Sequence, residues 1–290
     1  MKNIKNPKIK HRLDDYLVSQ GWFDTKSQAQ AAIMGAKVKI NNEIITKAGT
    51  LIKIDKEIIV EVKTVPYVSR GGFKLEKAVK DFNINVKNKI CLDIGASTGG
   101  FTDFLIQNGA PKVYSVDVGY GQIAWKLRQN PNVTVIERTN IRSAQVSEVY
   151  TDIDSGKQDL YATFACIDVS FISAIKILEN IKLLMNPDEQ EIVLLIKPQF
   201  EAGKDQVPKS GVIKDKKIHF EVIKKVADFA AKIGFYPQNL TYSPITGPAG
   251  NIEYLIYLTN KFDCSTIEEM NFDNLILETV EKAHANFKKC

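Results

Sequence analysis

Ile90-Cys91-Leu92-Asp93-Ile94-Gly95-Ala96-Ser97-Thr98-Gly99-Gly100-Phe101-Thr102 reads as a buried strand that breaks into a glycine loop and opens a helix. Gly95 permits a sharp turn after the strand, and Gly99 and Gly100 let the backbone approach a ligand closely. About two dozen residues after Asp93 a second strand, Lys112 to Asp117, again ends in a carboxylate. Two acidic strand ends at matching depth beside a glycine loop bind an adenosine-containing cofactor in a doubly wound sheet. The loop does not fit G-x-G-x-x-G, which argues against a dinucleotide, and the spacing suits S-adenosylmethionine better. On this reading Asp93 stabilises the cationic methionine end, and Gly95, Ala96, Ser97, Gly99 and Gly100 form the cradle. Asp117 accepts both ribose hydroxyls, and Asn140, after the third strand, reads the adenine edge.

Around this stretch, strands and helices alternate. Strands are expected near 89–94, 112–117, 132–136, 159–168, 190–197, 235–242 and 251–259, and helices near 72–83, 99–108, 121–128, 173–183, 215–233 and 266–288. Such alternation means an α/β fold, a Rossmann-like parallel sheet covered on both faces. The last two strands read as a hairpin that adds an antiparallel strand. The expected organisation is a small α+β domain over 1–63, a short Pro-containing linker over 64–69 and the α/β domain over 70–290.

Of 290 residues, 44% are hydrophobic and 25% charged, the composition of a globular chain. No apolar run reaches the length of a membrane span, and Met1-Lys2-Asn3-Ile4-Lys5 begins no secretory signal. Cys91, Cys166, Cys264 and Cys290 lack metal-ligand spacing. No metal is implied, and the chain reads as cytoplasmic with reduced thiols. The net charge of +5 lies entirely within residues 1–63, and five cations fall among the first twelve residues. A basic appendage on a neutral body suggests a polyanionic partner.

That appendage opens with Leu13, Leu17 and Val18 at helical spacing, with Gly21 as a stop. A second helix carries Ala29, Ala32 and Ile33, is capped by Thr25 or Ser27, and ends at Gly35. Short β-branched runs from Val38 to Val62, including Ile54 and Ile58, follow around an Asn41-Asn42 turn. The run from Arg12-Leu13-Asp14 through Thr25-Lys26, Ala29-Gln30 and Gly35 to Ile40-Asn41 resembles the S-four-type RNA-binding module. That resemblance implies phosphate contacts from Arg12, Lys26, Lys37 and Lys39. Lys26 stands where Arg is usual, keeping charge without bidentate geometry, and Asn42 stands where Gly is usual.

In the larger domain Lys74 is in line with Ala78 and Phe82, on the border of an apolar helical stripe. Asp168 ends the apolar run Phe164-Ala165-Cys166-Ile167, at the sheet edge where doubly wound folds bind ligands. Lys197 ends Ile192 to Ile196 and precedes Pro198, which holds it extended so that it projects from the same edge. Glu253 follows Gly247-Pro248-Ala249-Gly250 and opens the run Tyr254 to Leu258. Two lysines and two carboxylates suit activation of a ribose hydroxyl. A lysine made to give up its proton acts as base, and carboxylates orient it. The expected chemistry is 2′-O-methyl transfer with Lys197 as base.

The chain from about Arg12 to Glu253 resembles the TlyA (hemolysin A-like) family of ribosomal RNA 2′-O-methyltransferases. The resemblance rests on Ser69-Arg70-Gly71-Gly72-Phe73-Lys74-Leu75, Asp93 to Thr102, Asp168-Val169-Ser170-Phe171-Ile172-Ser173, Lys197-Pro198-Gln199-Phe200-Glu201 and Gly250-Asn251-Ile252-Glu253. It implies an FtsJ-like catalytic domain, cytidine in ribosomal RNA or ribosomal subunits as substrate, and a Lys-Asp-Lys-Glu tetrad at Lys74, Asp168, Lys197 and Glu253. Neither DNA nor a membrane is an expected partner. Amino-group methyl transfer is disfavoured because Val169-Ser170-Phe171, and not Pro-Pro-aromatic, follows Asp168. Ala165 rather than proline precedes Cys166, which disfavours a cytosine-C5 nucleophile. The rival functions are an RNA-binding protein without catalysis and a cytolysin, the activity in the family's older name.

Overall fold

A computed structural model describes residues 10–23, 25–53, 59–62, 66–153, 157, 160–261 and 271–288. Expectations for Ile54, Ile58, Thr64, Val65, Cys264, Cys290 and the start of the last helix at 266–270 lie outside the described residues. The chain forms two compact units, 1–66 and 67–290.

The first unit contains β1 (Lys10–Arg12), α1 (Leu13–Ser19), α2 (Lys26–Met34), β2 (Val38–Ile40), β3 (Glu43–Ile45), β4 (Leu51–Lys53) and β5 (Val60–Val62). Strand β1 pairs with β4, and β2 is the centre of a sheet ordered β3-β2-β5, all antiparallel. Leu13 and Leu17, one turn apart, meet Ala29, Ile33 and Val38 in a fully buried core. Thr25 supplies the cap of α2, its hydroxyl oxygen accepting from Gln28 N–H at 3.3 Å. Asn41 and Asn42 both take left-handed φ (+49° and +69°), the two-residue turn that matches strand twist. Helix α2 ends at Met34 with Gly35 as its C-cap, where the sequence places the stop, though the left-handed residue is Ala36 (φ +55°) and Gly35 keeps φ −78°.

The second unit contains α3 (Gly71–Asp81), β6 (Ile90–Ile94), α4 (Gly100–Gln107), β7 (Lys112–Val116), α5 (Trp125–Arg128), β8 (Val133–Ile136) and α6 (Val146–Val149). It continues with β9 (Phe164–Ile167), α7 (Ile175–Leu184), β10 (Glu191–Ile196), α8 (Pro198–Glu201), α9 (Lys216–Lys232), β11 (Tyr236–Tyr242), β12 (Tyr254–Thr259) and α10 (Phe272–Phe287). Seven strands form one sheet ordered β11-β12-β10-β9-β6-β7-β8. Strands β6 to β10 run parallel, and β12 is antiparallel to both its neighbours. The expected hairpin therefore enters the sheet with its second strand inside and its first at the edge. The parallel order reverses at β6, between β7 and β9, where ligands bind in such sheets.

Side-chain alternation divides the core between two faces. Leu92, Ile94, Ile192, Leu194 and Ile196 join Ile177, Leu178, Val222 and Ile276 from α7, α9 and α10. Cys91, Cys166, Val193, Leu195 and Leu255 join Leu75, Ala78, Phe101 and Leu105 from α3 and α4. Tyr67, Val68 and Ser69, expected as linker, belong to the second unit. A Cβ on Gly72 would lie 2.3 Å from the Tyr67 ring, and Val68 N–H donates to Asp103 Oδ2 at 2.8 Å. The helix expected from 121 starts only at Trp125, because Gly121 (φ +69°) lies in the loop ahead of it.

Candidate active site

In-register pairing brings the ends of β6 and β9 level, and β10 runs two residues further beside the start of β12. Ile167 pairs with Ile94 on one side and Leu194 on the other, and Ile196 faces Tyr254. Continuing the alternation past each strand end puts Asp93, Asp168, Lys197 and Glu253 on the face covered by α3 and α4. Helix α3 brings Lys74 down onto the same place. Lys74 Nζ lies 2.7 Å from Glu253 Oε2 and 3.5 Å from Asp168 Oδ2, while Lys197 Nζ lies 2.5 Å from Asp168 Oδ1. Lys197 Nζ also donates to Ser170 Oγ at 2.7 Å. Glu253 is 1% exposed and each lysine 8%, so these charges attract one another with little water between them.

Burial pulls the Lys74 ammonium down, but Asp168 and Glu253 outweigh it and hold its pKa above the usual lysine value. Glu253 is pushed up by burial, against the pull of Lys74. Lys74 is thus a fixed cation, bridging two carboxylates. Lys197 sits on the other oxygen of Asp168, with the Ser170 hydroxyl as a second partner.

Two adjoining cavities flank this cluster. One, of about 240 Å³, is lined by Lys74, Asp93, Gly95, Ala96, Ser97, Gly100 and Asp168. The other, of about 470 Å³, is lined by Gly95, Ser97, Asp117, Val118, Asn140 and Asp168 among others. Asp93 Oδ2 accepts from the Thr102 N–H (2.8 Å) and hydroxyl (2.6 Å), whereas its buried Oδ1 meets no N–H or O–H donor among the described residues, the weakly donating Cys166 thiol being the carboxyl's one further neighbour of that kind. Burial raises the Asp93 pKa to about 7. An orphaned carboxylate oxygen in a small cavity fits an ammonium group. Asp117 is held by Ser97 N–H on Oδ2 and Gly119 N–H on Oδ1, each at 2.7 Å, and Asn140 lines the same cavity. The donor set therefore suits an amino acid joined to a nucleoside.

The glycines serve this site differently from the sequence reading. Gly95 (φ +82°) admits the Asp168 backbone, since a Cβ there would sit 2.5 Å from Asp168 O. Gly99 and Gly100, expected to face a ligand, make room for protein. A Cβ would lie 2.4 Å from Leu127 Cδ1 at the first and 2.3 Å from Ser69 Oγ at the second. Gly100 lines the smaller cavity, but Gly99 is absent from both lining sets.

A third, open groove of about 600 Å³ is lined by Phe171, Lys176, Gln199, Phe200 and Lys204 among others. Phe171 is 92% exposed at φ +66°, and its ring lies 5.2 Å from that of Phe200. A solvated aromatic in left-handed backbone is unfavourable on both counts. The sequence assigns no role to Ser170 and Phe171, whose signal is their position two and three residues beyond the strand-end carboxylate Asp168.

In the first unit the four expected phosphate contacts divide. Arg12 grips the buried Asp14 (Nη2 to Oδ2, 2.7 Å), which also accepts from Gln30 Nε2 at 2.8 Å and so ties α1 to α2. The Arg12 guanidinium holds the Asp14 carboxyl well below the usual range. Lys26 pairs with Asp15 at 2.7 Å and Lys39 with Glu61 at 3.2 Å. Lys37 is exposed. Among the described residues no helix is long and apolar enough to cross a membrane.

The FtsJ-like methyltransferase family matches residues 67–260, and the S4 domain matches residues 11–58. A Bacillus subtilis protein named as an rRNA methyltransferase, YqxC, is 45% identical over 97% of this chain and 96% of its own length. The 16S/23S rRNA (cytidine-2′-O)-methyltransferase TlyA of Mycobacterium tuberculosis is 38% identical over 87% of this chain and 91% of its own. A solved structure named as a hemolysin from Streptococcus thermophilus superposes with a TM-score of 0.71 at 41% identity, covering 97% of this chain and 98% of that one.

Proposed function

Since the chain belongs to the FtsJ-like methyltransferase family and carries an S4 domain ahead of it, we propose that it methylates the 2′-oxygen of cytidine in ribosomal RNA, with S-adenosylmethionine as donor. Lys74, Asp168, Lys197 and Glu253, drawn from four separate segments and meeting at ion-pair distance beside the cofactor cavities, carry this assignment. S-adenosylmethionine supplies, when bound, a methyl group on a sulfonium that a nucleophilic oxygen can take. Asp93 would hold its amino group, Asp117 its ribose hydroxyls and Asn140 its adenine edge, with Gly95, Ala96, Ser97 and Gly100 forming the walls.

A ribose hydroxyl attacks only as its proton leaves. Lys74, bridging two carboxylates, keeps the ammonium form, and Lys197 Nζ takes the proton, entering the reaction as the neutral amine and leaving it as the ammonium paired with Asp168. Asp168 and Ser170 fix the direction of that amine. Asp168 and Glu253 hold Lys74 where its charge stabilises the developing alkoxide. A single nucleotide of a folded RNA is singled out most readily where its base is unstacked and can be splayed onto an aromatic side chain. The exposed Phe171 and Phe200, bordered by Lys176 and Lys204, give its base a surface to rest on.

The basic first unit recruits the RNA through its phosphates, with Arg12, Lys26, Lys37 and Lys39 as contacts. Of these Lys37 is the most available, and the other three exchange an acidic partner for phosphate. A ribosomal substrate puts the work in the cytoplasm.

Labelled methyl transfer to purified ribosomal subunits, followed by nucleoside analysis, tests the reading. Label on a cytidine 2′-oxygen, abolished in Lys197→Ala, is the expected result. Label on a nucleobase would discard the tetrad mechanism.

A further inference from the structure

The loops that follow β9 and β10 carry Asp168 and Lys197, and nothing in the strands themselves fixes how those loops lie against each other. Besides Lys197 itself, a second buried side chain joins them. Glu201, four residues after Lys197 and 4% exposed, reaches across to the segment that follows Asp168. Its Oε2 accepts from Ser173 Oγ at 2.6 Å and its Oε1 from Ala174 N–H at 2.7 Å. Ala174 is the N-cap of α7, whose own cap side chain makes no hydrogen bond. The cap is thus supplied from the neighbouring loop, and a carboxylate at a helix N-terminus is favoured by the helix dipole. On its other side, Glu201 O accepts from Lys225 Nζ of α9 at 3.0 Å.

The result is a closed ring. Its base is the β9–β10 pairing, with Leu194 opposite Ile167. One side runs through Asp168, Ser170 and Phe171 to Ser173, and the other through Lys197, Gln199 and Phe200 to Glu201. Inside the ring, Lys197 Nζ meets Asp168 Oδ1 and Ser170 Oγ. We propose that Glu201 is a positioning residue for methyl transfer, a latch that sets the distance between the base Lys197 and its partners Asp168 and Ser170.

Two features favour a latch over an ordinary stabilising contact. Glu201 is buried yet spends both oxygens on the segment after Asp168, one on the Ser173 hydroxyl and one on the free N-terminus of α7, rather than on solvent or on its own loop. The Ala174 N–H can only donate, so the amide of a glutamine must keep its oxygen there and turn its N–H₂ to Ser173, whose hydroxyl then accepts instead of donating. The charge and the short charge-assisted bond to Ser173 are then lost at a single, known point.

This inference rests on Lys197 and Asp168 acting as proposed, and Lys197→Ala therefore accompanies every measurement. Full-length Glu201→Gln is assayed for kcat and KM on ribosomal RNA, with S-adenosylmethionine affinity by calorimetry. The expected result is a kcat about 10- to 100-fold lower, in the range that small misplacement of a reacting group causes, with cofactor Kd within about twofold of wild type. Ser173→Ala, which removes one of the two donors, should lose less. The double variant should be no slower than Glu201→Gln alone, because both act on one contact. Should Glu201→Gln fail to fold, Ser173→Ala alone decides, with a lowered kcat at unchanged cofactor Kd as the supporting outcome. Wild-type kcat in either folded variant overturns the latch, as does a parallel loss of kcat, cofactor affinity and Tm. An active Lys197→Ala overturns the parent reading instead.

Discussion

Cofactor affinity should depend on pH through Asp93, and the size of the effect follows from its surroundings. The carboxyl is 1% exposed, one oxygen is satisfied by Thr102, and the other meets no N–H or O–H donor among the described residues. Burial lifts its pKa from 3.8 to about 7. Because the folded value is raised, the stability this group contributes is full below pH 3.8 and is lost as pH climbs through about 7. At roughly 1.4 kcal/mol per unit, ionised Asp93 costs the ligand-free fold on the order of 4 kcal/mol. An ammonium arriving at the free oxygen offsets that cost only if the carboxylate is charged. Affinity should therefore rise about tenfold per pH unit between pH 5 and 7 and level off above. At pH 6 roughly one molecule in ten is ready to bind, which makes Kd about tenfold weaker than the plateau. Calorimetric titration with S-adenosylmethionine from pH 5 to 8.5 at fixed ionic strength measures this directly. Asp93→Asn should bind weakly at every pH, without the slope. A flat wild-type profile, or a slope that survives in Asp93→Asn, would refute the assignment of Asp93 to the amino group.

Lys197→Ala should lower kcat by about 10² to 10⁴, the range for loss of a general base, with cofactor Kd unchanged in the same titration. Phe171→Ala should raise KM for RNA by about tenfold or more, the worth of one base–aromatic stack, and steady-state kinetics on ribosomal subunits would show whether kcat is spared. Lys37→Ala should weaken RNA binding and make its dependence on salt shallower, by about 0.7 in the logarithmic slope for one single-strand phosphate contact. Filter binding at several salt concentrations reads that slope.

Most strands of the sheet are legible because each is an apolar run whose end is marked by a charge or a glycine, whereas edge strand β11, with Pro237, Gln238 and Asn239, is mostly polar. The same runs gave away three quarters of the tetrad, since strand-end charges at Asp168, Lys197 and Glu253 stand out against Ile, Leu and Cys. Lys74 needed helical periodicity as well, and its role came through the family resemblance. Other features depend on contacts between segments that no local pattern records. Gly99 looks like a ligand-facing glycine, but Leu127 occupies the space it leaves, and Gly100 makes room for Ser69 as well as lining the cavity. Arg12 looks like a free cation until Asp14 is seen buried beneath it. The insertion of β12 between β10 and β11 is invisible in a hairpin pattern, which fixes adjacency and not the side on which a pair docks. Glu201 is one more glutamate until Ser173 and Ala174 are found at its two oxygens.

The position of β12 has a further consequence, for the order in which the molecule acquires its abilities. The residues assigned to the cofactor lie between Asp93 and Asn140, on strands adjacent in both sequence and sheet, so their contacts close over short spans of chain. Glu253 precedes β12, the strand that joins β11 to the sheet, so the hairpin docks on β10 only once both its strands have been made. A chain emerging from synthesis would thus hold the makings of a donor pocket well before it holds a complete proton-transfer set. Binding competence would come first and chemistry last. An unfinished copy of this enzyme, near the very ribosomes that carry its substrate, would be unable to mark them.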